Sequence, residues 1–381
     1  MTFTSAEFQA RTARAQELMA ALGFDALLLT TEPEVRYFTG FLTRFWESPT
    51  RPWFVIVPQR GKPVAVIPSI GVPLMVQSWL EDIRSWRAPD LEDDGVSLLI
   101  STLREVAGDQ GRVAAPMGHE THMRMPLRDL DRVRGAVDLI PDEGLMRQLR
   151  MVKSPAEIAR IAEACAIADR AFARVGEIGR AGVGLDAVFR GFQMLCLDEG
   201  ADWVPYLAGG AAQGGYGDVI SPATDTPLVT GDVLMLDTGL VHAGYFCDFD
   251  RNFSIGPPSA AVREAHATLI AATRAGFAAA RPGARAADLF HAMDKICTGG
   301  AGGSDAGRLG HGLGMQLTEW PSLIPADHTV LEQGMVLTLE PGVDLGDGKI
   351  MVHEENILIT QDGARYLSTP AAPEIAVLEG G

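Results

Sequence analysis

Four carboxylates and one imidazole lie at predicted strand ends, strand centres and glycine-rich turns in the second half of this chain. They belong to Asp237, Asp248, His311, Glu340 and Glu354. Carboxylates that come together in a folded protein repel one another, and their pKa values rise unless cations neutralise them. Two divalent ions would balance the four carboxylates and leave the imidazole as a neutral ligand. Because oxygen-rich ligand sets with one imidazole suit Mn, Fe, Co or Zn, the pattern predicts a metal centre.

The two aspartates lie in the segment Gly231–Phe253, GDVLMLDTGLVHAGYFCDFDRNF. Its apolar run predicts a buried strand that ends at Asp237, and a second extended run after a glycine-containing turn carries Asp248 and Asp250. A buried carboxylate is costly unless it is paired, hydrogen-bonded or bound to a metal. From this segment alone, an ion pair with Arg251, a helix cap or a turn aspartate is the alternative interpretation.

The other three candidate ligands lie in three further segments of the chain. Glu340 precedes a Pro-Gly pair and therefore ends a predicted strand, whereas Glu354 lies in the middle of another predicted strand. His311 lies in a predicted glycine-rich loop over 299–321, and a second such loop is predicted over 208–228.

The whole sequence predicts an α/β fold in two domains. A chain of 381 residues exceeds one small domain. A capping box, Ser154-Pro155-Ala156-Glu157, begins a helix whose apolar positions recur at spacings of three and four. We therefore divide the chain into domains of residues 1–148 and 149–381. Helices are predicted over 5–22, 97–106, 185–199, 260–280 and 286–297, and strands over 25–31, 52–58, 63–68, 112–115, 136–140, 334–340, 350–360 and 375–378.

The composition excludes several classes of partner. A net charge of −17 argues against nucleic acid as a partner. The four cysteines are widely spaced without a CxxC pair, and Cys165 falls in a helical apolar pattern that predicts a buried free thiol. No apolar run approaches a membrane span or a secretory leader, so we expect a cytoplasmic protein without a membrane partner.

An aromatic and arginine-rich loop, YFTGFLTRFWESPTRPW, is predicted between the first two strands. A hydrophobic lid or a subunit contact is one interpretation. The other is substrate binding by Arg44, Trp46, Arg51 and Trp53. Arginine can hold a carboxylate with two hydrogen bonds, and tryptophan can cover an apolar or cationic group.

The order of the five residues, within LDTG, YFCDFDR, GHGLG, LEPG and HEEN, resembles peptidase family M24, which includes prolidase, aminopeptidase P, methionine aminopeptidase and creatinase. The resemblance covers the whole chain. It implies an α/β (α+β) protein with a creatinase/prolidase-like N-terminal domain, followed by a pita-bread catalytic domain. It also implies a homodimer in which the N-terminal domain takes part in substrate selection.

The resemblance further implies a dinuclear site with two divalent ions, manganese first among Mn, Zn, Co and Fe. Asp237 would be a terminal bidentate ligand of one ion, Asp248 and Glu354 would bridge both ions, and His311 and Glu340 would bind the other. Glu340 would also accept a proton from the attacking water and pass it to the leaving nitrogen. The family pattern favours Asp248 over Asp250 and Glu354 over Glu355. His353 would then face away from the ions as a packed or solvent-facing residue.

Four positions depart from the peptidases of this family. Gly307 and Thr318 stand where those enzymes place histidines, Val352 stands where they place an arginine, and a third histidine would fall near Ile220. Thr318 is either a replacement hydrogen-bond donor or a residue without a role. We therefore expect hydrolysis of a small amide or a cyclic amidine such as ectoine, with an Xaa-Pro-type dipeptide still possible.

Two other functions stay open at this stage. One is a lyase of the kind that acts on dimethylsulfoniopropionate, although such relatives carry an additional aspartate where this chain has Gly239. The other is a pita-bread protein that binds a basic partner without catalysis. The intact set of predicted ligands argues against a protein that only binds.

Overall fold

The computed structural model describes residues 3–48, 52–302 and 307–380. The chain divides into two compact units, Met1–Arg150 and Met151–Gly381. The predicted boundary lies two residues before this division. Among the described helices, none combines the length and the apolarity that a membrane crossing requires.

The first unit is a mixed six-stranded sheet with helices. Its strand order is β4-β3-β2-β1-β5-β6. The pairs β1/β2 and β2/β3 are antiparallel, and the other three pairs are parallel. In chain order the elements are α1 (Ser5–Leu22), β1 (Ala26–Leu29), α2 (Glu32–Thr39), β2 (Phe54–Pro58), β3 (Val64–Pro68), α3 (Val72–Met75), β4 (Ile83–Trp86), α4 (Val96–Ala107), β5 (Arg112–Ala115), α5 (Leu127–Arg134), β6 (Asp138–Pro141) and α6 (Leu145–Met151).

Every helix and strand predicted for the first unit is present, but α2, α3, β4, α5 and α6 were not predicted. Helix α2 was not predicted, and its last three residues belong to the segment that was expected to be a loop. Six of its eight residues are buried, from Glu34 to Thr39, and they include the charged Glu34 and Arg36. Gly40 ends it in the left-handed conformation, at φ 72°.

The second unit carries two larger sheets and a hairpin. One sheet has the order β18-β10-β8-β7 with β9 paired to β8, the other has the order β12-β11-β13-β16-β17, and β14 pairs with β15. The elements are α7 (Pro155–Ala173), α8 (Leu185–Asp198), β7 (Trp203–Gln213), β8 (Asp232–His242), β9 (Tyr245–Phe246), β10 (Phe249–Ile255), α9 (Ala260–Ala279), α10 (Ala286–Cys297), β11 (Gly310–Gly312), β12 (Glu319–Ser322), β13 (Val336–Leu339), β14 (Gly342–Gly346), β15 (Lys349–Val352), β16 (Glu355–Ile359), β17 (Ala364–Tyr366) and β18 (Ala376–Leu378).

Helix α7 begins at the predicted capping box. The Ser154 hydroxyl accepts a hydrogen bond from the Glu157 N–H at 3.3 Å, and the Glu157 carboxylate accepts one from the Ser154 N–H at 3.0 Å. These two bonds satisfy donors that the first turn of a helix leaves unpaired. The predicted buried thiol of Cys165 is confirmed on the inner face of this helix.

The prediction of two glycine-rich loops was wrong where parts of these segments form β7, β11 and β12. Strand β7 takes up 208–213, and a Cβ on Gly209 would lie 2.1 Å from the Met235 carbonyl oxygen. His311 lies in β11, where a Cβ on Gly312 would lie 2.0 Å from the Trp320 carbonyl oxygen. Glycine at these two points permits the close approach of two backbones. In the sequence, glycines that serve this purpose cannot be distinguished from the glycines of a loop.

Two of the predicted ligands occupy different local positions from those expected. Asp237 lies in the middle of β8, which continues to His242, and not at a strand end. Glu354 lies between β15 and β16, and not in the middle of one strand. Glu340 follows the last residue of β13, as the Pro-Gly pair predicts.

Candidate metal centre

The five predicted ligands form two overlapping groups in the second unit. Asp237, Asp248 and Glu354 form one group, and Asp248, His311 and Glu340 form the other. In each group, one ligand atom per residue lies within 4.8 Å of the others. Asp248 belongs to both groups, whereas Asp250 and Glu355 belong to neither. A carboxylate shared by two groups is the geometry that a bridging ligand needs.

The strands determine which side chains meet. His311 on β11 lies opposite Thr338 on β13, and Thr338 in turn lies opposite Asn356 on β16. Directly opposite residues of antiparallel strands point to the same face of the sheet, so one rung carries all three side chains. In the other sheet, Asp237 on β8 lies opposite Asp250 on β10, and Asp248 directly precedes β10.

The His311 ring is oriented as a metal ligand. Its Nδ1 lies 2.8 Å from the Gly312 carbonyl oxygen, so this nitrogen carries the proton and Nε2 offers its lone pair. Nε2 lies 2.9 Å from Glu340 Oε1 and 3.3 Å from Asp248 Oδ2. Two ligands of one ion at about 2.1 Å are roughly 3.0–3.4 Å apart at tetrahedral or octahedral angles. These distances therefore fit a shared ion.

The electrostatics of the centre also fit divalent cations. Burial raises the pKa of Asp237, Asp248 and Glu354 well above ordinary carboxyl values, and the neighbouring carboxylates raise it further. Burial would also raise the pKa of Glu340, but His311 lowers it below its usual value. Asp237 Oδ1 and Glu354 Oε2 are buried without a hydrogen-bond partner among the described residues. Cations would relieve both the repulsion and the unsatisfied oxygens.

Asn356 fixes the backbone of Asp248, a role that the sequence analysis missed. The Asp248 N–H donates to Asn356 Oδ1 at 3.0 Å, and Asn356 Nδ2 donates to the Asp248 carbonyl oxygen. The Cys165 thiol donates to the same Oδ1 at 3.3 Å, and the Asn356 N–H donates to the Ser368 hydroxyl at 3.0 Å. The asparagine of HEEN was visible in the sequence, but its partner lies 108 positions away.

Asn356→Ala should weaken metal binding while every proposed ligand stays in place. Residues that orient metal ligands typically contribute about 10–100-fold in metal affinity. We expect a loss in that range for Mn, measured by competition with a metal-sensitive dye. Ser368→Ala is the matched control, because it removes the acceptor of the Asn356 N–H and a donor to Glu355 but neither bond to the Asp248 backbone. It should change the affinity less than about threefold. Equal affinities for Asn356→Ala and the parent protein would contradict this role.

Behind the centre, the buried residues Asp250, His353 and Glu355 pair with one another and with the partly buried Arg251. Glu354 donates its N–H to Asp250 Oδ1 at 3.1 Å, and His353 Nδ1 lies 3.3 Å from the same oxygen. His353 Nε2 lies 3.2 Å from Glu355 Oε1, and Arg251 Nη2 lies 3.1 Å from Glu355 Oε2. Burial would lower the pKa of His353, but the two carboxylates raise it. Of the two alternatives for His353, the structure shows a packed residue.

Tyr206, Arg308 and Thr318 lie beside the centre and are half-buried. The Tyr206 hydroxyl interacts with the Asp237 carboxylate. Arg308 Nη2 donates to Thr318 Oγ1 at 3.4 Å. At another position considered for a family histidine, Ile220 is 83 % exposed.

The next residue after Thr318 is anchored by a buried ion pair. Lys153 Nζ lies 3.1 Å from Glu319 Oε2, and the two side chains are 2 % and 1 % exposed. Glu319 Oε1 accepts hydrogen bonds from the N–H groups of Met315 and Gln316, at 2.8 and 3.1 Å. Several bonds on one buried carboxylate fix the segment that carries Thr318.

The predicted substrate-binding residues of the first unit have different environments. Trp46 and Trp53 are 7 % and 1 % exposed, and their rings lie 6.0 Å apart in a cluster with Phe41 and Phe45. Within this unit they are interior residues, and their role as substrate contacts stays a prediction. Arg44 is exposed and keeps that role as a prediction. Arg51 lies outside the described residues.

Comparison with known proteins gives two matching family models and several related proteins. Residues 159–361 match Metallopeptidase family M24, and residues 11–152 match the Creatinase/Prolidase N-terminal domain. A probable dipeptidase PepE of Mycobacterium tuberculosis is 28% identical over 95% of this chain and 94% of its own length. An Xaa-Pro dipeptidase of Pyrococcus furiosus is 32% identical over 59% of this chain and 65% of its own.

A solved structure agrees with these matches. The crystal structure of dipeptidase PepE from Mycobacterium ulcerans is 26% identical and covers 99% of both chains with a TM-score of 0.85. The predicted fold, a creatinase/prolidase-like N-terminal domain followed by an M24 catalytic domain, is confirmed. The predicted metallohydrolase class is confirmed as well. This chain belongs to metallopeptidase family M24.

Proposed function

We propose that this protein hydrolyses an amide-type C–N bond in a small substrate with water activated between two divalent ions. The ions would be held by Asp237, Asp248, His311, Glu340 and Glu354, with manganese as the first candidate. The shared position of Asp248 in two ligand groups is the observation that carries the proposal. Glu354 as a second bridge remains a prediction, since it joins only the group with Asp237.

When bound, such ions lower the pKa of a water molecule and polarise the substrate carbonyl. The protein's own residues supply the remaining steps. Glu340, which follows β13 and lies 2.9 Å from His311 Nε2, would accept a proton from water as an ionised carboxylate. Glu340 would then deliver the proton to the leaving nitrogen. Burial of Asp237, Asp248 and His311, each at most 6 % exposed, keeps bulk water away from the reacting atoms.

Two kinds of observation bear on the substrate class. The two relatives compared by sequence are named as dipeptidases, which supports a dipeptide as substrate. Gly307, Thr318 and Val352 depart from the peptidase pattern, which supports another small amide or a cyclic amidine. The lyase alternative lacks support, because Leu317 and Tyr206 already occupy the space beside Gly239.

The proposal also includes a homodimer. Sedimentation velocity should then show twice the chain mass of 40.7 kDa.

A hydrolysis screen with Mn-loaded protein tests this function. The panel should contain Xaa-Pro and other dipeptides, N-acyl amino acids and cyclic amidines such as ectoine, with product amines measured by mass spectrometry. We expect turnover of at least one class. Asp248→Ala serves as the control and should be inactive on the whole panel. Turnover that survives in Asp248→Ala would refute the bridging role, and no turnover by the metal-loaded parent protein would refute the proposed substrate class.

A further inference from the structure

A cavity in the second unit, which we call the lateral cavity, lies between α7, β10, α9 and the C-terminal segment 369–378. Its volume is about 650 Å³. Its wall is largely apolar and includes Phe172, Phe253, Ala376 and Leu378. Pockets that bind small molecules typically measure roughly 300–1,000 Å³ and combine an apolar lining with a few polar groups. The lateral cavity has the size and lining of such a site.

Strand β10 separates the lateral cavity from the candidate metal centre. Asp250 on this strand lies opposite Asp237, whereas the next residue, Arg251, lines the cavity. Successive side chains of a strand point to opposite faces of the sheet, so the two sites lie on opposite faces of β10. None of the described residues that line the cavity is a proposed metal ligand. The proposed hydrolysis therefore gives the cavity no role.

The positive charges of the cavity wall are already compensated. Arg251 Nη2 lies 3.1 Å from Glu355 Oε2, and Arg170 Nε lies 3.1 Å from Glu199 Oε2. Neither carboxylate belongs to the wall of the cavity. Burial lowers the pKa of His266 below its usual value, so this residue adds no charge at neutral pH. The wall thus offers no uncommitted cation to a ligand.

The two carboxylates of the wall are compensated less well. Asp169 Oδ2 accepts hydrogen bonds from the Thr369 N–H and hydroxyl, at 2.9 and 2.8 Å. The nearest cation to Asp169 Oδ1 is Arg251 Nη2 at 4.0 Å, and that nitrogen is also paired with Glu355. Glu374 is exposed and forms no ion pair with any residue that the structure describes. The cavity therefore presents negative charge beside apolar surface.

This combination of charge and surface specifies the chemistry of a ligand. A cation next to a half-buried carboxylate stabilises its charged form, and burial raises the pKa of Asp169 when that cation is absent. An ammonium group carries three donors and can bond Asp169 Oδ1 while Thr369 keeps Oδ2. The apolar wall favours an apolar body on the same molecule. A ligand carboxylate would meet Asp169 and Glu374 with the same sign of charge.

We propose that the lateral cavity binds a small amine with an apolar body and a single positive charge, and that Asp169 holds its ammonium group. The proposal does not depend on the proposed hydrolysis, because no proposed metal ligand takes part in it. Amines without a carboxylate fit the cavity better than amino acids, whose carboxylate would face the negative charge of the wall.

Three related probes test the charge preference. Tryptamine carries the ammonium group, N-acetyltryptamine is uncharged, and indolepropionate carries a carboxylate on the same ring system. Calorimetric titration of the Mn-loaded protein should show that tryptamine binds at least about tenfold more tightly than N-acetyltryptamine, because only the cation makes a charge-assisted bond. Indolepropionate should bind most weakly. Equal affinities for the amine and its acetyl derivative, or no binding of tryptamine, would overturn the proposal.

Asp169→Asn tests the anchor of the ammonium group. Asparagine keeps an oxygen that can accept from Thr369 but removes the charge, so the affinity for tryptamine should fall about tenfold. The affinity for N-acetyltryptamine should change less than about threefold. Asp347→Asn is the matched control, since Asp347 is exposed and lies outside the cavity. A preference for tryptamine that survives in Asp169→Asn would place the amine elsewhere and overturn the proposal.

Ala173→Leu tests the place of binding independently of charge. Ala173 is the exposed last residue of α7 and lines the cavity, so leucine narrows the cavity without disturbing a buried residue. Tryptamine and N-acetyltryptamine should both lose at least about fivefold in affinity, because the apolar body loses its space. Ala278→Leu, at an exposed position of α9 outside the cavity, is the matched control. Unchanged binding of both probes in Ala173→Leu would contradict the proposed site.

Discussion

Asp248→Asn is expected to lower kcat/KM by about a thousandfold or more on any substrate that the Mn-loaded protein turns over. Asparagine preserves the size and shape of the side chain, but it lacks the charge and the second ligand oxygen that a bridge requires. The loss corresponds to about 4 kcal/mol of transition-state stabilisation, a reasonable magnitude for disruption of a metal pair. Asn356 holds only the backbone of Asp248, so the substitution leaves that contact in place.

Asp347→Asn provides the matched control for this loss. Asp347 is exposed and has a φ of 52°, a conformation that asparagine adopts as readily as aspartate. The control removes the same charge without touching the centre, and its kcat/KM should equal that of the parent protein. The account would be contradicted by an Asp248→Asn enzyme that keeps more than about a tenth of the parental kcat/KM.

Removal of the metal should destabilise the protein, and this loss of folding stability should grow as the pH rises. Burial and neighbouring charges raise the pKa of Asp237, Asp248 and Glu354 in the metal-free protein. In the unfolded chain such groups titrate at about 4. The folded protein therefore binds more protons than the unfolded chain, and its stability decreases as the pH rises from about 4 through the raised pKa values.

Bound cations replace those protons, so the stabilisation that they provide is larger at higher pH. We expect a chelator to lower the midpoint of thermal unfolding by about 10 °C at pH 8, which corresponds to about 4 kcal/mol for tight binding in a domain of this size. The decrease should be clearly smaller at pH 6. Differential scanning fluorimetry with and without metal at both pH values measures the effect.

Asp248→Asn also tests the direction of the electrostatic effect on stability. Without metal, the substitution removes one of the repelling carboxylates, so the chelated variant should unfold at the same or a higher temperature than the chelated parent at pH 8. With metal, the order should reverse. Equal effects of the chelator at both pH values, or a less stable chelated variant, would contradict the electrostatic account.

The sequence predicted which acidic residues come together more accurately than it predicted the local structure around them. The resemblance to family M24 favoured Asp248 and Glu354 over the acidic residues next to them, and the structure brings these two into groups that could hold a metal ion. The expected strand end at Asp237 was wrong, because β8 continues where β7, β9 and β10 all pair with it. Pairing partners distant in sequence extend a strand beyond the point at which its apolar run ends.

The supporting residues could not be predicted, because their roles depend on contacts between distant segments. Asn356 acts on a backbone 108 positions away, and Lys153 pairs with a carboxylate 166 positions away. Similarly, Gly209 of β7 indicated a loop in the sequence, whereas the structure shows that it lies too close to the Met235 carbonyl for a side chain.

Metal content per chain tests the central claim most directly. The protein should be reconstituted with excess Mn, dialysed against metal-free buffer and analysed by plasma mass spectrometry, beside Asp248→Asn treated in the same way. The account predicts two ions per chain in the parent protein and at most one in Asp248→Asn. One ion or fewer in the parent protein, or equal contents in the two proteins, would contradict a dinuclear centre built on Asp248.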